Sequence, residues 1–242
     1  MRTVSMHPST RQKSVQAIDI SGLCFSWKRD APVLAIEQLQ IKQGERIFIV
    51  GPSGSGKTTL LSLLAGIVTP QQGSIAINGT RLETLNGMQR DRFRADHIGF
   101  IFQMFNLVPY LSVVENVTLP CRFSTLRRKR AAATSSSVET RAVRLLQQLG
   151  MTGAIDGRQT ATELSVGQQQ RVAAARALIG APEVIIADEP TSSLDAENRE
   201  SFIKLLFNEC EQEKNTIVFV SHDTSLAGLF DRTIRLVDIN SA

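Results

Sequence analysis

The stretch Gly51-Pro52-Ser53-Gly54-Ser55-Gly56-Lys57-Thr58 stands between an apolar run of strand length, Ile47-Phe48-Ile49-Val50, and a helix-forming run, Thr59-Leu60-Leu61-Ser62-Leu63-Leu64-Ala65, that Gly66 stops. Strand, glycine-rich loop and helix in that order spell a phosphate-binding loop. The glycines let backbone N–H groups close around an oligophosphate, and the helix N-terminus adds the positive end of a dipole. In this reading Lys57 reaches the β- and γ-phosphates and the Thr58 hydroxyl ligates Mg²⁺. The loop predicts a nucleoside triphosphate as ligand.

Further along, Val184-Ile185-Ile186-Ala187-Asp188-Glu189-Pro190 is an apolar strand that delivers two carboxylates at its end. The C-terminal ends of parallel strands open onto the ligand crevice. Asp188 therefore suits the Mg²⁺ shell, and Glu189 suits polarisation of an attacking water.

The segments between these motifs follow a pattern. Ala17 to Phe25 and Val33 to Ile41 read as short strands around a loop, and Ser74 to Gly79 as a strand closing on the turn signal Asn78-Gly79. Ile98 to Phe102 is a buried-type strand ending at Gln103. From Asn106 to about Ala161 helical segments dominate, with Val138, Ala142, Leu145, Leu146 and Leu149 forming a stripe that Gly150 ends. Helix 168–179, strand 183–187, helix 196–212 and strand 216–220 follow. Strands alternating with helices predict an α/β fold with a mostly parallel sheet covered on both faces.

Composition narrows the class. The 242 residues are 42% hydrophobic and 21% charged, as expected of a globular protein with a sizeable core. No apolar run approaches the roughly 20 residues of a membrane helix, and Met1 to Lys13 lacks the apolar segment of a signal peptide. Cys24, Cys121 and Cys210 are widely spaced, which predicts free thiols in a reducing compartment. The net charge of +4 is mild. Its densest feature is Arg127-Arg128-Lys129-Arg130, within Ser124 to Thr140. Those cations either meet anionic lipid headgroups, at about 1 kcal/mol each, or belong to a solvated loop inside the helical insert. No aromatics interleave with them, so they do not predict nucleic-acid binding.

Leu164-Ser165-Val166-Gly167-Gln168-Gln169-Gln170-Arg171 is the third motif. Ser165 is placed to cap the helix through Val172-Ala173-Ala174-Ala175-Arg176-Ala177-Leu178, making a second anion site. The stretch resembles the Leu-Ser-Gly-Gly-Gln signature of ATP-binding cassette (ABC) ATPases, and the resemblance runs from about Val15 to Asp238. It implies a phosphate-loop NTPase core with an N-terminal antiparallel β subdomain and an inserted α-helical subdomain. The implied division is a flexible arm at 1–14 and one domain at 15–242, with its core at about 15–103 and 162–242 and its helical subdomain at about 104–161.

The resemblance also implies roles. Nucleotide contacts fall to Gly51, Pro52, Ser53, Gly54, Ser55, Gly56, Lys57, Thr58 and Thr59, and across a dimer interface to Ser165, Gly167, Gln168 and Asp195. Trp27 corresponds to the aromatic residue that stacks on adenine; the alternative is a surface tryptophan packed on a strand. Gln103 corresponds to the glutamine that ligates Mg²⁺ with Thr58 and Asp188, and it joins Glu189 and His222 as a catalytic candidate. His222, after an apolar strand, corresponds to the switch histidine at the γ-phosphate, and Ser192 to Asp195 to the loop crossing the dimer interface. ATP and Mg²⁺ are the implied cofactors.

Two departures stand out. Val166 occupies a position usually held by glycine, and a β-branched residue disfavours φ > 0 there, which predicts reduced or tightly coupled ATPase activity. Arg158 to Glu163 lacks the proline common before the signature.

Family members pair head to tail and drive a separate membrane permease docked near Gln103, on the cytoplasmic face of the inner membrane. Phe105 to Pro109 with Glu115 to Pro120 is similar to the lipoprotein-release and macrolide-efflux group. Polar amino-acid importers share a similar region, and a cell-division type regulator is a second reading. A soluble cassette acting on nucleic acid is the third; it usually needs fused cassettes or a coiled-coil insertion, which this chain lacks.

Overall fold

The computed structural model describes residues 16–28, 31–151 and 159–242; the expected arm at 1–14 and Arg158 lie outside them. Two sheets organise the chain. The first is antiparallel, in the order β2 (Ala31–Lys42), β1 (Gln16–Lys28), β4 (Gln72–Ile77), β5 (Thr80–Arg81). The expected short strands at 17–25 and 33–41 are in fact the middles of the long β1 and β2. Their alternating buried and exposed residues extend the pairing beyond the purely apolar positions. The second sheet is parallel, in the order β6 (Ile98–Ile101), β7 (Val184–Asp188), β8 (Thr216–Val220), β3 (Arg46–Val50), β9 (Arg232–Arg235).

Side chains alternate across each parallel strand and so divide the interior in two. Ile47, Ile49, Val184, Ile186, Val218 and Val220 face the antiparallel sheet and α1 (Lys57–Leu64), whose Leu60, Leu61, Leu63 and Leu64 are buried there. Phe48, Ile185, Ala187, Ile217 and Phe219 face the opposite layer, built by the helices after β6. α2 (Gly87–His97) lies before that strand and carries no buried residue. The far layer comprises α3 (Val113–Thr118), α4 (Pro120–Phe123), α5 (Thr125–Ala133), α6 (Val138–Gln148), α7 (Val166–Leu178) and α8 (Ala196–Glu213), and the chain closes with α9 (Leu236–Ile239). Because both faces are covered, the strands read as continuous apolar runs in sequence.

Local chemistry sets the helix ends. Ser112, Asn86 and Ser165 each form a reciprocal capping box with Glu115, Gln89 and Gln168. Gly150, at φ 80, takes the left-handed position that ends α6, and its N–H donates to the Gln147 carbonyl. Buried Asn116 donates to the carbonyls of Val108, Leu111 and Ser112 and accepts from Val108 N–H, which folds the turn before α3.

The basic stretch corrects the expected solvated loop. It is helical, as α5, and Arg127 is 2% exposed. Its guanidinium donates to the carbonyls of Ile179 (2.7 Å), Ala177 (2.6 Å) and Arg176 (3.2 Å), at the C-terminal end of α7, and to Ile98. Those carbonyls lack helical partners, so a buried cation satisfies them and meets the negative end of the helix dipole. Arg130 pairs with Glu183 at 2.8 Å. Only Arg128 and Lys129 of the run are exposed, so the four-cation lipid contact has no basis in this fold.

Candidate nucleotide-binding and catalytic site

Strand register assembles the site at the C-terminal edge of the parallel sheet. Asp188 pairs with Val220, and Val220 with Ile49, two residues before Gly51. Glu189 N–H donates to the Val220 carbonyl and Ser221 N–H to that of Ile49. The phosphate loop, the two carboxylates and His222 therefore emerge side by side, although the chain separates them widely.

The loop needs its glycines. Gly54 and Gly56 have φ of 80° and 94°. A Cβ at Gly56 would sit 2.8 Å from Leu34 Cδ2 and 3.2 Å from the Val33 carbonyl, so only glycine takes this backbone at this distance. Lys57 Nζ, at the start of α1, donates to the carbonyls of Gly51 (2.7 Å) and Pro52 (2.9 Å), which holds its charge across the loop mouth. Trp27, at the end of β1, is 61% exposed. Its Nε1 donates to Thr59 Oγ1 at 3.2 Å and its ring stands edge-on to Phe25. The indole is thus fixed beside the loop and accessible to a planar ligand.

The acidic side is tense. Burial first, and then the charge of Glu189, raise the Asp188 carboxyl above its usual range, while Lys57 pulls it back. A half-buried carboxylate of this kind, beside a second one and near Lys57, the residue before the exposed Thr58 hydroxyl, offers oxygens that suit a hard divalent cation. Among the described residues no cluster of three His, Cys, Asp or Glu side chains exists. A Mg²⁺ ion here would therefore take its remaining oxygens from phosphates and water.

Glu189 adopts φ 47, a left-handed conformation that costs a non-glycine residue about 1–2 kcal/mol. Its Oε2 lies 2.6 Å from His222 Nδ1, so Nδ1–H donates to the carboxylate and Nε2 is left to face outward. The carboxylate is mostly buried and the imidazole exposed.

The other candidates lie elsewhere. Ser165 caps α7, its Oγ accepting from Gln168 N–H at 3.3 Å. The Gln168 side chain is engaged in return, on Ser165 N–H. Asp195 caps α8 by accepting from Asn198 N–H and Nδ2, and the backbone hydrogen bond is the main cause that holds its carboxyl below the usual range. Ser165 and Gly167 border a cavity of about 280 Å³ with Leu194 and Asn198, whereas Pro52, Ser53, Gly54 and Ser55 border one of about 520 Å³ with Pro32 and Val33. The fold thus unites Lys57, Asp188, Glu189 and His222, while Ser165 borders a different cavity from the one beside the phosphate loop. Gln103 is exposed just beyond β6.

Val166 corrects another expectation. It is the first residue of α7, outside the positive-φ residues, and 47% exposed. A β-branched side chain is compatible with that backbone, so the conformational argument for impaired activity falls away.

Sequence reading missed three arginines. Arg127 was hidden in a basic run, Arg176 in a helical stripe, and Arg199 carried no local signal. Arg199 donates to the Leu194 carbonyl at 2.8 Å and pairs with Asp223, next to His222.

Comparison with known proteins points to one family. The family described as "ABC transporter" matches residues 35–192. The chain is 42% identical over 202 residues to the lipoprotein-releasing system ATP-binding protein LolD of Bacteroides fragilis, covering 84% of this chain and 89% of that protein. It is 39% identical to the uncharacterized ABC transporter ATP-binding protein YbbA of Escherichia coli, covering 87% and 89%. Among solved structures, the post-hydrolysis dimer of the ATP-binding cassette MJ0796, bound to ADP and Pi, superposes with a TM-score of 0.79 at 35% identity, covering 90% of this chain and 93% of that one. With a complete phosphate loop and a carboxylate–histidine pair at one sheet edge, and relatives that match over nearly their whole length, the chain belongs to the ABC transporter family as one of its ATP-hydrolysing cassettes.

Proposed function

We propose that the chain binds Mg²⁺–ATP and pairs head to tail with a second copy, so that Ser165 and Gly167 of one protomer close on the γ-phosphate held by the other. In doing so it drives a separate transmembrane permease or mechanotransmission subunit. The observation that carries this reading is the Glu189–His222 pair beside Lys57 and Asp188. In this mechanism Trp27 stacks on the adenine, and the loop amides with Lys57 hold the phosphates. Thr58, Gln103 and Asp188 would hold Mg²⁺, which would supply charge neutralisation at the phosphate oxygens. Glu189 takes a proton from the attacking water, and His222, oriented by that same carboxylate, contacts the γ-phosphate.

Placement supports the dimer in this reading, since Ser165 and Gly167 border a cavity other than that of the phosphate loop and would gain a phosphate ligand from another molecule. The solved dimers of MJ0796 support it. No described helix is long and apolar enough to cross a membrane, so membrane work requires a partner. A groove of about 1050 Å³ between α2, β6 and α4, lined by Met88, Phe93, Phe100, Phe102 and Phe123, offers that partner an apolar seat. This reading includes the division into core and helical subdomain given above, a cytoplasmic position on the inner membrane, and no nucleic-acid partner.

Replacing Glu189 with glutamine tests it. The variant is expected to bind ATP, form a stable dimer on a sizing column, and turn over roughly 10²–10⁴-fold more slowly. Normal hydrolysis would remove Glu189 from its role, and a monomer with bound ATP would remove the composite site.

A further inference from the structure

Arg176 stands near the end of α7, on the helix that begins at the Ser165 cap, and it is only 8% exposed. Its guanidinium leaves the helix for the segment after β6. Nη1 donates to the Asn106 carbonyl at 2.6 Å and Nη2 to the Phe105 carbonyl. Phe105 and Asn106 have φ of 57° and 49°, so two consecutive residues that are not glycine occupy the left-handed region. Such backbone persists only where its surroundings over-determine it. Here the surroundings are few. The Phe105 ring is buried in the helical-side core, Phe105 N–H donates to the Phe102 carbonyl, Asn106 N–H donates to that of Met104, and the arginine fork takes both carbonyls. Gln103 lies within this turn.

We propose that Arg176 is the positioning residue for Gln103. Its fork holds the left-handed turn that aims Gln103, and because it rises from the same unbroken helix as Ser165, it ties that turn to the second anion site. The inference rests on the reading above, in which Gln103 faces the nucleotide and Ser165 faces a second copy. The geometry calls for a planar fork. A lysine ammonium carries three rotating protons and does not match two neighbouring carbonyls in a fixed arrangement. From Ser165 to Arg176 the helix spans about 16 Å at 1.5 Å per residue. A shift at the capped end therefore reaches Gln103 through one rigid element and one side chain.

Arg176→Lys tests this, alone and with Asn106→Gly. Three readouts are taken: hydrogen exchange of the Phe105 and Asn106 amides without nucleotide, ATP affinity from Trp27 fluorescence, and turnover against Mg²⁺ concentration. In Arg176→Lys the two amides should exchange at least about tenfold faster. ATP affinity should hold while turnover falls between about ten- and a hundredfold and half-saturation moves to higher Mg²⁺. Adding Asn106→Gly should restore part of the turnover, because glycine takes a positive φ without a clamp. Unchanged exchange or unchanged turnover in Arg176→Lys overturns the proposal. So does a loss of turnover that follows the melting temperature and that Asn106→Gly does not relieve. Exchange is measured without ATP, so it reports on the clamp alone. Normal hydrolysis by Glu189→Gln would instead sink the functional reading and leave the exchange result standing.

Discussion

Glu189 and His222 lie 33 residues apart in sequence and 2.6 Å apart in space, because β7 and β8 end in register at the same sheet edge. The pair occupies one carboxylate oxygen and fixes the imidazole tautomer. His222→Ala should therefore slow turnover by about 10²- to 10⁴-fold. Its melting temperature should barely move, since the imidazole is exposed. Steady-state ATPase rates with a thermal melt check both, and a variant with normal turnover would leave the histidine without a catalytic part.

Val166 poses a question of backbone against side chain. Its helical conformation means that glycine offers no relief there. Val166→Gly and Val166→Ala should therefore have the same turnover, any departure from the parent being due to the exposed isopropyl group on the surface proposed to meet a second copy. A gain seen with glycine and not with alanine would restore the backbone argument.

The basic run divides by burial. Burial pulls the Arg127 guanidinium down to about 10, which still leaves it charged at neutral pH. Arg127→Met strands the carbonyls it serves and should cost about 3 kcal/mol or more. Arg128→Ala and Lys129→Ala, both at the surface, should stay within about 0.5 kcal/mol. Urea unfolding of the three variants would expose an error in this ranking.

Glu183 gives the stability a pH dependence. Burial raises its carboxyl, but hydrogen bonds from His97 and Arg130 outweigh that and hold it at about 2. The folded value lies below the unfolded one of about 4.3. The contribution is therefore complete above that unfolded value and is lost as pH falls toward 2. Glu183 is partly exposed, so solvent screening keeps the effect modest. Melting temperatures between pH 6 and pH 3 should fall more steeply for the parent than for Glu183→Gln, and parallel curves would refute the assignment.

What the sequence made legible was local. The loop at Gly51 to Thr58, the apolar strands with their terminal Asp188-Glu189, the Ser165 cap and the Gly150 stop each carry their cause within a few residues. The misreadings share a different origin. Arg127 looks solvated among its neighbours, and its burial is dictated by carbonyls some fifty residues away, at Arg176, Ala177 and Ile179. Val166 was judged by the residue it replaces, whereas its backbone is set by the cap of Ser165. Beyond Phe25 and Val33 the long hairpin of β1 and β2 is held by partner strands, not by apolar residues alone.

The grip of Arg127 on the tail of α7 has a mechanical consequence. A helix whose last carbonyls are held by a buried cation cannot slide along its own axis; it can only swing about that end. Pressure on Ser165 from a neighbouring molecule would reach the sheet as a rotation, with Arg127 as the fulcrum.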